Sequence, residues 1–106
     1  MSSQISTIRV FARIYLLTPE EGGREFPILG VYRPDHFFGE LKDGAFMGQI
    51  ELSENEMLHL GETKDLWITF IDSPGLNAQL FRGNSWRINE ADKPVAVAEV
   101  LMVENK

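Results

Sequence analysis

From Ile8 the chain alternates, with Ile8, Val10, Ala12, Ile14 and Leu16 on one side and Arg9, Phe11, Arg13, Tyr15 and Leu17 on the other. A period of two predicts a long strand with one face in a core. The strand is closed by Thr18-Pro19-Glu20-Glu21-Gly22-Gly23, where proline fixes φ and paired glycines permit a reversal. Phe26 to Tyr32 is apolar but interrupted by Pro27 and Gly30, which predicts an irregular or edge strand without an evident partner. His36-Phe37-Phe38-Gly39 opens another strand. Lys42-Asp43-Gly44 turns the chain, and alternation resumes through Phe46, Gly48, Ile50 and Leu52.

Ser53 and Glu56 stand in capping-box relation, so one short helical turn is expected between Ser53 and Leu60. Leu66, Ile68 and Phe70 alternate with Trp67, Thr69 and Ile71, both sets largely apolar, as in a core strand of a barrel wall. Gln79 to Arg82 and Trp86 to Asn89 flank Gly83-Asn84 and predict a hairpin. In the last segment Val95, Val97, Glu99, Leu101 and Val103 alternate with Ala96, Ala98, Val100 and Met102, the alanines small enough for close approach at a barrel wall. Short strands separated by Gly and Pro turns, with no internal repeat, make an all-β barrel or sandwich.

Composition narrows the function classes. The 106 residues suit one domain, with its core over about residues 5–103. The hydrophobic fraction of 43% supports a packed core rather than disorder. A formal charge of −6 opposes phosphate backbones at long range, so nucleic acid is an unfavoured partner. Without cysteine there is no disulfide or thiolate zinc site, and Met1-Ser2-Ser3-Gln4 has no secretory character, so the cytoplasm is the expected location. No apolar run is long enough for a membrane helix.

The search for chemistry returns little. A phosphate loop ending in Gly-Lys-Ser/Thr is missing from these residues, so nucleotide hydrolysis has no seat in them. His36 and His59 lie outside any metal-ligand spacing and read as ordinary histidines. The acidic residues fall on turns where solvated carboxylates are normal, and Ser53, Ser73 and Ser85 lack a nucleophile-elbow context. The expectation is a protein that is not an enzyme, with no cofactor and no metal. Arg24 and Arg33, beside Gly22-Gly23 and Tyr32, could grip a carboxylate or phosphate, or could instead pair with Glu20, Glu21 or Asp35 and brace loops. Trp67 sits within a strong strand pattern and reads as a core filler. Trp86, beside Asn84 and Ser85, is the better binding anchor.

The motifs Phe11-Ala12-Arg13-Ile14-Tyr15-Leu16-Leu17-Thr18, Glu20-Glu21-Gly22-Gly23-Arg24 and Tyr32-Arg33-Pro34 together resemble the third, C-terminal domain of elongation factor Tu. The likeness continues through Gly48-Gln49-Ile50-Glu51-Leu52, Ile68-Thr69-Phe70-Ile71, Arg87-Ile88-Asn89-Glu90 and Val95 to Val100. It implies a six-stranded antiparallel closed β-barrel, here without the GTPase domain. In that family the barrel packs on other domains and touches the T-stem of aminoacyl-tRNA. Positions that match its RNA-facing surface have changed character. Glu25 stands where the family has histidine, and Asn89-Glu90-Ala91-Asp92-Lys93-Pro94 keeps one cation and loses a glycine pair. Extra residues around Lys42 to Ala45 and Gly75 to Arg82 would reshape the surfaces they border. The expected function is a protein-interaction module with a partner of unknown identity, possible settings including a cognate protein that it masks, with Arg24, Glu25, Tyr32, Arg33, Trp86, Asp92 and Lys93 as candidate contact residues. The alternative is a translation-associated RNA- or tRNA-binding domain.

Overall fold

The computed structural model describes residues 5–104. Eight strands follow in chain order: β1 Thr7–Leu16, β2 Ile28–Leu29, β3 Asp35–Phe37, β4 Phe46–Ile50, β5 Met57–Leu58, β6 Thr63–Ile71, β7 Ser85–Glu90 and β8 Lys93–Val103. Six of them close an antiparallel barrel in the order β1-β6-β4-β3-β7-β8, while β2 and β5 form a separate two-stranded ribbon. The β-barrel anticipated from the family motifs is therefore the observed fold, and the irregular segment after Phe26 finds its partner in β5.

The alternation in β1 does what the pattern predicts, since Val10, Ala12, Ile14 and Leu16 are fully buried. Their inward neighbours are Leu66, Ile68 and Phe70 from β6 and Ala96, Ala98 and Val100 from β8. The alanines leave room for Phe70, Trp86 and the isoleucines within a narrow interior, the small-against-large pattern of a filled barrel. Gly48 serves the same end: a Cβ there would lie 2.8 Å from the Phe70 ring and 3.1 Å from the His36 ring.

Three local expectations are corrected. The stretch after Ser53 forms no helix. Glu56 does accept the Ser53 N–H through its carboxylate at 2.9 Å, but Asn55 takes a left-handed φ of 69°, and the next residues leave as β5. The predicted hairpin about Gly83-Asn84 is displaced: Asn77–Gln79 is a 3-10 turn, and the true hairpin joins β7 to β8 through Ala91 and Asp92. The extra residues after Gly75 do more than border a surface, because Leu76 and Leu80 reach the core. None of the described helical turns is long and apolar enough to cross a membrane.

Candidate functional site

Arg24 and Tyr32 lie at the two ends of the segment that carries β2, and the fold brings both to Glu90, the last residue of β7. Arg24 Nη1 donates to Glu90 Oε2 at 2.8 Å, and the Tyr32 hydroxyl donates to the same oxygen. The Arg24 guanidinium also lies over the Tyr32 ring, 5.4 Å from its centroid. Burial first, and then the bond to the Glu90 carboxylate, push the Tyr32 phenol well above its ordinary range, so it stays a donor throughout the physiological pH range. Asp92 and Lys93 stand exposed at the adjoining hairpin, with Lys93 paired in register to Glu90. Glu25 is exposed beside Arg24.

The bracing role considered for Arg24 is thus realised, but with a partner distant in sequence rather than with Glu20 or Glu21. Glu21 is engaged elsewhere, accepting the Thr18 N–H at 2.9 Å and the Tyr15 hydroxyl at 2.7 Å, contacts that hold its carboxyl below the usual range. Arg33 does not join the cluster; its Nε donates to Gln49 Oε1 of β4 at 2.8 Å.

The two tryptophans are placed opposite to expectation. Trp86, predicted to be an accessible anchor, is only 3% exposed, and stacks on Phe38 at 4.8 Å. Its inward register on β7 decides this, whatever the polarity of Asn84 and Ser85 before it. Trp86 Nε1 donates to His36 Nδ1 at 3.0 Å. An indole nitrogen can only donate, so Nδ1 accepts, and the His36 proton resides on Nε2, where it meets the Gly48 carbonyl at 3.0 Å. Burial lowers the His36 pKa to about 4, keeping the ring neutral. Trp67 instead lies half-buried on the outer wall, beneath the Arg9 guanidinium at 4.3 Å.

What the sequence did not single out is the apolar surface between the two anchors. Phe26, Leu29 and Val31 are 68%, 62% and 71% exposed, while Ile28 between them is buried. Alternation over a short ribbon would have signalled an outward Leu29, but Pro27 and Gly30 obscure that period. Among the described residues no group of three His, Cys, Asp or Glu side chains is placed to hold a metal ion.

Comparison with known proteins agrees with this architecture. No family model matches the chain. It is 29% identical over 103 residues to elongation factor Tu 2 of Streptomyces avermitilis, an alignment covering 97% of this chain. The barrel is homologous to the third domain of elongation factor Tu. The chain spans about a quarter of the length of that elongation factor Tu, 25%, so the likeness concerns one barrel and not the whole factor.

Proposed function

We propose that the chain is a non-catalytic binding module of the cytoplasm whose ligand is another protein, engaged through the segment between Arg24 and Tyr32. The observation that carries this reading is the exposure of Phe26, Leu29 and Val31 within six residues of chain. Large apolar side chains gathered on a surface mark a face that gains by being covered. Their presentation is ordered in advance, because Ile28 is rooted in the core while Arg24 and Tyr32 tie the flanks to Glu90. An ordered segment loses less entropy when it binds. Glu25, Asp92 and Lys93 would then form the polar rim, and Arg33 would lie beyond it. A cognate protein that the module masks or neutralises suits such a role.

The competing reading, an RNA or tRNA binder, draws on the homology with elongation factor Tu. Against it, the best-placed cation of the segment, Arg24, is already neutralised by Glu90, and Glu25 and Asp92 stand nearby. Phosphate binding needs free cations that can displace counterions. The test is recovery of the tagged chain from its native cells, followed by reconstitution with the purified partner. Wild type is expected to retain one protein in stoichiometric amount, and a Phe26→Glu/Leu29→Glu double variant to lose it with unchanged melting. Recovery unaffected by that variant, or abolished by ribonuclease, would refute the proposal.

A further inference from the structure

The outward positions of a barrel wall that faces water should be polar. At one position on each of three adjacent strands they are not. Met102 of β8, Phe11 of β1 and Trp67 of β6 stand opposite one another in register, forming an apolar stripe across the outside of the barrel. Met102 is 51% exposed, and the Phe11 and Trp67 rings lie 5.1 Å apart. Methionine, aromatic residues and arginine are the types enriched where proteins meet.

The charges on either side of the stripe specify what could cover it. On one side Arg9, whose guanidinium lies over the Trp67 ring at 4.3 Å, is bound by Glu51 at 3.0 Å and by Glu104 at 3.3 Å. On the other Arg13 is bound by Asp65 at 3.0 Å, with Glu99 opposite it in register. Two arginines therefore face four carboxylates, and both cations are committed within the wall. The remaining field is negative, in keeping with the net charge of −6. Among the described residues of this wall a phosphate polymer finds no free cation, whereas a basic polypeptide finds an apolar centre ringed by carboxylates.

We infer that the outer wall of β8, β1 and β6 is a second docking surface, taking a basic protein segment that presents an aliphatic side chain to the Met102–Phe11–Trp67 stripe. The wall shares no residue with the Arg24–Tyr32–Glu90 cluster, so the inference stands or falls separately from the surface proposed above.

The test is a titration of the isotope-labelled full chain with a synthetic amphipathic helical peptide of leucine and lysine, followed by NMR. Saturable shifts are expected at Phe11, Trp67 and Met102, weakening as salt is raised. Met102→Lys is expected to weaken the affinity about ten-fold, equivalent to about 1.4 kcal/mol, with melting unchanged, while Met102→Leu retains it. A peptide with glutamate in place of lysine is expected not to bind. Unchanged affinity in Met102→Lys, equal binding of the glutamate peptide, or an absence of shifts at the stripe would overturn the inference. So would matching shifts induced by a single-stranded oligonucleotide. Shifts confined to Phe26, Leu29 and Val31 would overturn this surface while leaving the first one standing.

Discussion

The barrel is held in two different ways on its two sides. Along β1 the backbone ladder is long, with nine register pairs to β6 and seven to β8. Around β3 it is short, with two pairs to β4 and three to β7. There, a side chain supplements the ladder: His36 of β3 reaches Gly48 of β4 through one ring nitrogen and Trp86 of β7 through the other. Where strands are long, repeated backbone pairing spreads the stabilisation over many residues. Where they are short, closure depends on a few specific interior contacts.

If that contrast is right, the largest single effect should come from Trp86→Ala. The change removes a buried aromatic ring and leaves His36 Nδ1 without its donor, for a combined loss of about 3–5 kcal/mol. Chemical denaturation of wild type and variant measures it. A loss below about 1 kcal/mol, the scale of a tolerated core change, would mean that the β3 seam does not depend on this contact.

The next effect sharpens the comparison through pH. Burial holds the His36 pKa down to about 4 when folded, against an ordinary value of about 6.5. Above pH 6.5 both folded and unfolded states are neutral at this site, and its full contribution to stability is present. As pH falls, the unfolded chain takes up a proton that the folded chain refuses, so stability declines, by about 2 kcal/mol at pH 5 and about 3 kcal/mol near pH 4. The carboxyls of Glu21, Glu51 and Glu56 are lowered by their hydrogen bonds and add their losses at more acid pH. A His36→Leu variant is expected to be less stable overall but to lack the decline between pH 6.5 and 5. Persistence of that decline in the variant would assign it to another group.

The smallest effect lies in a turn, outside the interior contacts of the β3 seam. Ala91 closes the β7–β8 hairpin at a φ of 57°, a left-handed conformation that glycine adopts without a Cβ penalty. Ala91→Gly is expected to raise stability by less than about 1 kcal/mol, visible as a small upward shift in melting temperature. A drop in melting temperature would show that Ala91 makes a contact worth more than its strain.

The same contrast explains what could be read from the sequence. β1, β6 and β8 were legible because strands of nine or more residues carry enough alternation to outlast local noise, as Val10 to Leu16 and Leu66 to Phe70 show. The β2–β5 ribbon has two residues per strand, too few to set a period, and the Ser53–Glu56 hydrogen bond is common to a helix start and a simple turn. Arg24 and Arg33 were legible as the residues to single out, with Tyr32 beside them, but Glu90, the joint partner of Arg24 and Tyr32, lies at least 58 residues away and only the closed barrel brings it near. Trp67 and Trp86 were misplaced because each sits in a strand whose inward face is fixed by register, and neighbouring polarity carries little of that information.

The central claim is that a barrel homologous to one from a translation factor here presents apolar surface to a protein, with its best-placed arginine neutralised from within. The most direct test is a fluorescence-anisotropy titration with aminoacyl-tRNA at two salt concentrations. The account predicts no saturable binding below about 10 μM near physiological salt and little dependence on salt, because few counterions would be released. A dissociation constant below about 1 μM that weakens steeply with added salt would contradict it and place an RNA on this barrel.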